Sequence, residues 1–421
     1  MSDNNGLSYL ESLGAAAKAA AAITASLPTA QKNEVLLKCA AALEEKSGEI
    51  LAANDKDMSG AVSAGIKASF LDRLKLDKKR VFGMADGLRQ VAGLPDPVGE
   101  AISMKTLPNG LIVQNVRVPM GVIGMIYEAR PNVTADAFGL CFKAGSAVIL
   151  RGGKEAIGSN RAIVAVFHGV LAEFGLPTGI VQLIEDTSRE VARDFMRLNK
   201  YVDLLIPRGG AGLIQSVVEN SAIPVIETGV GNCHIFVDES ADFGKAVPII
   251  VNAKVQRPSV CNACEKVLVH RAVAEEFLPL VGKALADNKV EIRGDEAAVR
   301  LIPGAIPALE EDWPREYGEL IIAVKVVDSL DEAIAHIRKY TSHHSEAILS
   351  NDYANIQRFT REIDSAAVYA NASTRFTDGG EFGMGAEIGI STRKLPGLGP
   401  MGLREITSSK YIIFGDGQVR K

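Results

Sequence analysis

The chain has few aromatic residues, no excess of basic residues and no long uninterrupted apolar run. Of its 421 residues 5% are aromatic, and the formal net charge is -5. These values argue against nucleic acid as a partner, because such a partner requires a basic surface with aromatic side chains for stacking. No apolar run approaches the length of a membrane span, and the N-terminal MSDNNGLSYLESLG lacks a cationic stretch followed by an apolar core. We expect no membrane association and a cytosolic protein.

Cysteine is also scarce. The five cysteines, an odd number, are scattered without a secretory signal, which argues against a disulfide framework. Cys261 and Cys264 form a CxxC motif, but zinc would need further cysteine or histidine ligands at comparable spacing, and none lies nearby in sequence. No metal site is therefore expected, whereas a dithiol redox pair stays open as an alternative for this motif.

What the sequence has in quantity is apolar residues, 47% of the total, enough for several buried cores. Residues 7–91 carry them at helical spacing, which predicts an all-helical opening. Residues 109–126 alternate β-branched with polar residues, which predicts a protruding ribbon. The terminal apolar run at residues 410–414 is expected to pair with this ribbon, in the same chain or in a neighbouring subunit.

Strand-like and helix-like segments alternate through the rest of the chain. The predicted strands are AVILR, GIVQLI, VDLLIP and IPVIE before position 232, and HIFVD, KVLVH, LIIAVKVVD, EAILS and AAVYAN after it. Amphipathic helices separate them, an order that is typical of doubly wound parallel sheets. The sequence therefore predicts an α/β fold with two such domains.

Two glycine turns follow predicted strands and begin predicted helices. They contain Arg151, Gly152 and Lys154 in one case, and Arg208, Gly209 and Gly210 in the other. Backbone amides at a helix N-terminus beside a cation suit a phosphate group, so both turns are candidate cofactor sites; a tight turn with a solvated arginine is the alternative. No acidic residue follows AVIL to bind a ribose hydroxyl, which favours NADPH over NADH. The literal GxGxxG at residues 397–402 contains Pro400 and follows no strand, and we interpret it as a loop.

Cys261 lies in a polar turn between a helix-like and a strand-like run, in NAKVQRPSVCNACEKVLVH. Pro258 and Ser259 interrupt the apolar pattern, and turns carry reactive groups more often than cores do. We predict a nucleophilic thiolate at Cys261, with a small buried hydrophobe as the alternative. The adjacent His343 and His344 are interpreted as part of a solvated loop.

Several long strings are spread over nearly the whole chain, among them VPMGVIGMIYEARPNVTADA, LIPRGGAGLI, PVIETGVGNCHIFVD, QRPSVCNACEKVLVH and GPMGLREIT. They resemble the aldehyde dehydrogenase superfamily and, within it, the gamma-glutamyl phosphate reductase family. The resemblance implies NADPH-dependent reduction of L-glutamyl 5-phosphate to L-glutamate 5-semialdehyde and phosphate, through a cysteine thioester, in proline biosynthesis. It also implies a homo-oligomer, and the lability of the acyl phosphate suggests a glutamate 5-kinase as a channelling partner.

The fold that the resemblance implies is aldehyde dehydrogenase-like: two doubly wound parallel-sheet domains, one for the cofactor and one catalytic, with a small β oligomerisation flap. The implied boundaries are 1–108 and 127–235 for the NADP-binding domain, 236–370 for the catalytic domain with the thiol, 109–126 and 400–421 for the β-ribbon oligomerisation element, and 371–399 for an interdomain and substrate-site segment.

The resemblance also implies roles for individual residues. Cys261 is at the nucleophile position, and Asn132 in EARPN matches an asparagine that donates to the oxyanion; a helix cap is the alternative for Asn132. Glu227 in IETGVGN matches the glutamate that activates water in aldehyde-oxidising relatives, and a reductase would use it to position groups or relay a proton. Glu316 in DWPREYGEL matches the glutamate that binds the nicotinamide ribose, although EYGEL replaces the usual EIFGP; an exposed acidic loop is the alternative.

Candidate substrate residues are Arg375 in NASTRF and Ser391 and Thr392 in EIGIST. Arg375 is the expected carboxylate partner, with a structural salt bridge as the alternative. Two other functions stay open. One is an aldehyde-oxidising semialdehyde dehydrogenase that uses the same thiol, and the other is a thiol switch or binding protein that uses Cys261 and Cys264 without hydride chemistry.

Overall fold

The structure, a computed structural model, describes residues 3–395 and 397–420. The outer residues of the predicted ranges 1–108 and 400–421, and residue 396 of the range 371–399, lie outside the described residues. The chain divides by its internal packing into two units. The first contains Met1–Glu227, Gly383–Gly389 and Met401–Lys421, and the second contains Thr228–Phe382 and Ile390–Pro400.

Helices and strands alternate along most of the chain. Up to residue 227 they are α1 (Asp3–Thr24), α2 (Thr29–Glu45), α3 (Ser47–Ser63), α4 (Ala68–Leu74), α5 (Lys78–Gly93), β1 (Ala101–Thr106), β2 (Ile112–Pro119), β3 (Val122–Tyr127), α6 (Asn132–Lys143), β4 (Ala147–Arg151), α7 (Ile157–Glu173), β5 (Val181–Leu183), α8 (Arg189–Phe195), β6 (Leu204–Arg208) and α9 (Ala211–Asn220). After residue 227 they are β7 (Cys233–Val237), α10 (Phe243–Val255), β8 (Cys264–His270), α11 (Arg271–Asp287), β9 (Glu291–Gly294), α12 (Glu296–Leu301), β10 (Ile306–Pro307), β11 (Ile321–Val327), α13 (Leu330–Tyr340), β12 (Ser345–Leu349), α14 (Tyr353–Glu362), β13 (Ala367–Ala370), β14 (Ile390–Ser391), β15 (Gly399–Pro400) and β16 (Thr407–Phe414). Short 3-10 helices lie at Lys154–Ala156, Thr178–Ile180, Glu310–Asp312 and Thr374–Phe376.

The helical opening of the first unit is confirmed. Helix α2 buries apolar residues three and four positions apart, and α5 starts where Asp77 accepts a hydrogen bond from the backbone N–H of Arg80. The helices pack with a parallel sheet of order β5-β4-β3-β6. Because the strands are parallel, the residues that follow β3, β4 and β6 meet at one edge of the sheet. No helix of the described residues is long and apolar enough to cross a membrane.

The predicted ribbon is divided differently in the structure. Strand β2 ends at Pro119, and β3 instead lies inside the parallel sheet, with all its residues buried. A turn with Gly121 at φ 114°, a conformation that side chains other than hydrogen disfavour, separates them. The flap is an antiparallel sheet of β1, β2 and β16, so the strand at 410–414 pairs with the ribbon of its own chain.

A second difference concerns IPVIE, residues 223–227. This predicted strand makes only an isolated bridge, between Val225 and Leu205. Pro224 accepts a hydrogen bond from the N–H of Leu205 through its carbonyl, but it has no N–H to continue a ladder. Residues 223–227 are therefore an extended connection rather than a strand.

The second unit is built on a parallel sheet of order β10-β9-β11-β8-β7-β12-β13. Its strands β7, β8 and β12 are nearly all buried, as expected for a parallel sheet covered on both faces. The doubly wound α/β prediction is confirmed for both units. A short antiparallel pair, β14 with β15, also belongs to the second unit.

Candidate active site

The loop that carries Cys261 connects the end of α10 to the start of β8 in the second unit. Cys261 is half-buried, whereas Cys39, Cys141, Cys233 and Cys264 are fully buried. The small-hydrophobe alternative therefore describes the other four thiols rather than Cys261.

The backbone of this loop is fixed from one side by the segment that leads into β7. A side chain at Gly231 would overlap the carbonyl group of Cys261, so only glycine fits there. Two residues later, the Sγ of Cys233 donates to the carbonyl oxygen of Cys261 at 3.2 Å. The position of the thiol thus depends on the close approach of two backbone segments.

Asn262 fixes the loop from the other side. It is 3% exposed, and its Nδ2 donates to the carbonyl oxygen of Thr377 at 2.9 Å. The hydroxyl of Thr374 donates back to the carbonyl oxygen of Asn262 at 2.7 Å. These bonds join the residue after the nucleophile to residues 373–377, a contact between distant segments that the sequence analysis did not predict.

The CxxC motif is not arranged as an exposed dithiol. Cys264 is the first residue of β8, and burial raises the pKa of its thiol to about 12. A thiol that stays protonated is a poor redox partner. The interpretation of both histidines as solvated is correct for His343 but wrong for His344, which is fully buried and hydrogen-bonded to the hydroxyl of Ser345 at 2.8 Å.

Arg375 lies beside the nucleophile loop. Its Nε donates to the side-chain oxygen of Gln256 at 2.9 Å, and its Nη1 donates to the side-chain oxygen of Asn262. Both acceptors are neutral amides, so these bonds do not neutralise the guanidinium. The bonds bring Arg375 and Cys261 together, and they differ from the structural salt bridge that was the alternative for Arg375.

Ser391 and Thr392 lie together in the second unit, against residues 228 and 229. Ser391 is in β14 and forms an isolated bridge with Thr228. A side chain at Gly229 would overlap the hydroxyl of Thr392. Both residues are largely buried.

Glu316 is half-buried in the loop before β11. The exposed-loop alternative is wrong for its neighbour Asp312, which is 1% exposed. Burial tends to raise the pKa of Asp312, but hydrogen bonds from the Leu309 N–H, Arg293 and the Tyr317 hydroxyl outweigh burial and hold the pKa below its usual value. Asp312 is therefore a buried, charged residue that holds the loop in place through these three hydrogen bonds.

A buried charge cluster lies under the same loop. Lys254, in the last turn of α10, is 3.1 Å from the carboxylate of Glu265. Glu265 also accepts a hydrogen bond from the backbone N–H of Tyr317 at 3.2 Å. Burial lowers the pKa of neighbouring Lys266 to about 8. The cluster links the end of α10, the start of β8 and the residue after Glu316.

Asn132 begins α6 in the first unit and is exposed. The helix-cap alternative is wrong, because Pro131 occupies the cap position and no side chain caps the helix. Instead, the Nδ2 of Asn132 donates to the carboxylate of Asp136 at 3.0 Å. Burial raises the pKa of Asp136 to about 6, although the bond from Asn132 and the charge of Arg208 oppose this shift. Asn132, Asp136 and Arg208 therefore lie together.

The turn after β4 has a close-packed glycine and one exposed cation. A side chain at Gly152 would overlap the amide nitrogen of Asn160, a buried atom that has no partner within the described residues. Lys154 is exposed at the start of a 3-10 helix. The guanidinium of Arg151, in contrast, donates to the carbonyl oxygens of Thr187 and Ser188 at 2.6 and 3.1 Å. Lys154 is thus the cation of this turn that faces solvent.

The turn after β6 is occupied differently from the prediction. The backbone N–H of Gly210, at the start of α9, donates to the carboxylate of Glu128 at 2.9 Å. Glu128 also lies against Gly209. A carboxylate thus takes the position at this helix N-terminus that was assigned to a phosphate. Glu128 follows β3, and its place at the shared sheet edge is the signal that would have found it.

Glu227 is half-buried at the end of the extended connection in the first unit. The literal GxGxxG at residues 397–402 lies in a segment with the two-residue strand β15 and no following helix among the described residues, as the loop interpretation expects. Within residues 3–395 and 397–420, no group of three or more His, Cys, Asp or Glu side chains could hold a metal ion.

Comparison with known proteins shows which family the chain resembles. The sequence matches the aldehyde dehydrogenase family over residues 8–301. It is 59% identical over 404 residues to gamma-glutamyl phosphate reductase from Carboxydothermus hydrogenoformans, covering 96% of this chain and 97% of the relative. The chain belongs to the aldehyde dehydrogenase family.

Two further proteins are similar to the chain over nearly its whole length. The gamma-glutamyl phosphate reductase of Clostridium botulinum strain Eklund 17B is 57% identical over 407 residues, covering 97% of this chain and 98% of the relative. The crystal structure of gamma-glutamyl phosphate reductase from Thermotoga maritima has a TM-score of 0.96 and 50% identity, covering 98% of this chain and 100% of that one. The fold expected from the resemblance is confirmed.

Proposed function

We propose that this chain catalyses the NADPH-dependent reduction of L-glutamyl 5-phosphate to L-glutamate 5-semialdehyde and phosphate, in proline biosynthesis. The names of relatives that are 59% and 57% identical over nearly the whole chain support this reaction. The observation that carries the proposal is the half-buried thiol of Cys261 in a loop held by Gly231 and Asn262, with Arg375 beside it. A held, accessible thiol next to a cation suits attack on an anionic acyl group.

Cys261 supplies the nucleophile in this mechanism. Its thiolate attacks the acyl carbon, a carbon–sulfur bond forms, and the carbon–oxygen bond to phosphate breaks to give a thioester. When bound, NADPH would supply the hydride that converts the thioester to the aldehyde and returns the thiolate. Asn132 would donate a hydrogen bond to the oxyanion, and loss of one such donor typically costs about 2.7 to 4 kcal/mol. Glu227 would position groups or relay a proton, since hydrolytic water is not needed.

The turn after β4 fits a phosphate-bearing cofactor better than the turn after β6. At the former, Lys154 is an exposed cation, and the buried Nδ2 of Asn160 beside Gly152 has no partner within the described residues. At the latter, Glu128 takes the amide that a phosphate would use. Lys154 and Gly152 would therefore hold the cofactor phosphates, Glu316 would bind the ribose, and Ser391 and Thr392 would contact the substrate. Arg208 would act near Asn132 rather than on a phosphate.

The reverse reaction tests the function with stable reagents. We expect the protein to reduce NADP when both phosphate and L-glutamate 5-semialdehyde are present, and mass spectrometry of trapped protein to find the acyl adduct on Cys261. Cys261→Ser abolishes turnover, whereas the control Cys264→Ser retains it. Reduction of NAD without phosphate would instead support the aldehyde-oxidising function, and equal loss in the two variants would support a dithiol.

Cofactor preference is tested at Lys154. Because its charge would meet the additional phosphate of NADPH, Lys154→Ala should raise the dissociation constant for NADPH more than that for NADH. Lys200→Ala, which removes another exposed lysine of the same unit, is the control and should change neither constant. Equal changes in the dissociation constants of the two cofactors would show that Lys154 does not bind the additional phosphate of NADPH.

A further inference from the structure

A second arginine lies close to the nucleophile loop. Arg375 donates to the side chains of Gln256 and Asn262, near the two ends of this loop. Arg257 follows Gln256 directly, is exposed, and is close enough for its charge to act on Arg375. Cys261 also lies within electrostatic range of Arg375. Two guanidinium groups and the thiol are thus grouped on and beside one loop.

This grouping places two positive charges near each other. Arg375 is half-buried, and its two hydrogen-bond acceptors are neutral. Burial lowers the pKa of Arg375, and the neighbouring charge of Arg257 lowers it further, whereas Asp378, Cys261 and Glu381 act in the opposite direction. Two like charges in a partly desolvated place repel each other, and a bound anion of two charges relieves both effects. Within the described residues the Nη2 of Arg375 makes no hydrogen bond, which leaves its donors for such a ligand.

We infer that Arg257 and Arg375 bind the phosphoryl group of the substrate and the inorganic phosphate that leaves. The inference rests on the proposed function, and it replaces the substrate carboxylate with phosphate as the partner of Arg375. When the thiolate attacks, the electron pair of the broken carbon–oxygen bond goes to the phosphate oxygen, which then takes a proton from water. The negative charge on phosphate grows during this step, so cations placed there stabilise the transition state more than the ground state.

The position and the charge of the site favour phosphate over the carboxylate. The phosphoryl oxygen is bonded to the carbon that Cys261 attacks, whereas the carboxylate is at the far end of the glutamyl chain. Arg375 binds Asn262, the residue next to the nucleophile, and lies within electrostatic range of Cys261, so its guanidinium is close to the reacting group. Phosphate carries about two negative charges and matches two arginines, whereas a carboxylate carries one.

Steady-state kinetics of the reverse reaction test the inference. We expect Arg257→Gln and Arg375→Gln each to raise the KM for inorganic phosphate about tenfold or more, because a charge-assisted bond is lost. The KM for the semialdehyde and for NADP should change less than about twofold. Arg361→Gln, which removes an exposed arginine of α14, is the matched control and should leave all three constants unchanged.

A second measurement does not depend on turnover. Inorganic phosphate should slow the alkylation of Cys261 by iodoacetamide in a saturable manner, and Arg257→Gln should raise the phosphate concentration needed. If Arg375→Gln raises the KM for the semialdehyde and leaves that for phosphate unchanged, Arg375 binds the carboxylate and the inference is wrong. Absence of phosphate protection in the unaltered protein also overturns it. Absence of phosphate-dependent NADP reduction, with protection retained, overturns only the proposed function.

Discussion

At the scale of single residues, Asp136 gives the site a pH dependence. Its folded-state pKa is raised from 3.8 to about 6, so the folded protein binds this proton more tightly than the unfolded chain does. The stabilisation is complete below about pH 4 and is lost as the pH rises through about 6. We expect the free energy of unfolding of the wild type to fall, relative to Asp136→Asn, over this range in urea titrations. A constant difference between pH 4 and 7 would contradict the assignment.

Gly231 is the residue whose substitution should affect the nucleophile most directly. Because a side chain there overlaps the carbonyl group of Cys261, Gly231→Ala should displace the thiol and lower kcat/KM by roughly 100-fold. The control is Gly169→Ala, at an exposed position of α7 with no atom near the added carbon, which should add roughly 1 kcal/mol of stability and leave activity unchanged. Full activity in Gly231→Ala would show that the loop can shift without cost.

The candidate residues were predictable from sequence to different degrees. Cys261 was found because a thiol in a polar turn is a local pattern, and its half-buried state agrees with that pattern. The bonds of Asn262 to residues 374 and 377 were not predictable, because a hydrogen bond between distant segments leaves no local periodicity. Glu128 was missed for a different reason: the segment before it was assigned to the ribbon, so its place at the sheet edge beside Gly210 was not recognised.

At the scale of elements, the flap presents exposed apolar side chains on the described strands. Met104 of β1 and Phe414 of β16 are 60% and 54% exposed and share one face of the sheet, because Met104 pairs with Gln114 and Phe414 pairs with Ile112. Tyr411 of β16 is 66% exposed on the opposite face. Apolar residues grouped on an exposed sheet often mark a contact between subunits. The role of this flap in forming a homo-oligomer therefore remains a prediction, and these exposed apolar side chains are the surface that it concerns.

Phe414→Glu tests that role. If the flap is an interface, a charge in it should convert the oligomer to smaller species, as measured by light scattering after size-exclusion chromatography. Val419→Glu, at an exposed position beyond β16, is the control and should keep the mass of the wild type. A wild type that is already monomeric, or a Phe414→Glu variant of unchanged mass, would exclude the interface.

Element types were largely predictable, because helices and parallel strands of this length have clear apolar periodicity. The exceptions have physical reasons. Strand β1 is exposed along its whole length, so it lacks the apolar alternation that predicts strands. Residues 122–126 were joined to the ribbon because they include β-branched residues like those of β2, although burial of every side chain places them in the parallel sheet.

At the scale of the whole molecule, burial separates one thiol from the rest. Burial raises the pKa of the Cys39, Cys141, Cys233 and Cys264 thiols, and all four are 0% exposed. A thiol reagent such as dithionitrobenzoate should therefore react rapidly with a single thiol in the native protein and with all five after unfolding. Cys261→Ser should remove the rapid reaction. Two or more rapid thiols in the native protein would contradict the described burial.

The sequence by itself determined the α/β class, the helical opening, most of the strands and the turn that holds Cys261, because each is encoded in local patterns of polarity and turn residues. Only the tertiary structure decided which groups meet. In the structure Arg375 is hydrogen-bonded to Gln256 and Asn262, which are 119 and 113 residues earlier in the chain. Glu128 accepts the hydrogen bond of the Gly210 N–H at the N-terminus of α9. Such contacts depend on the order of the strands in each sheet and on the packing of the loops between them. Local periodicity in the sequence encodes neither.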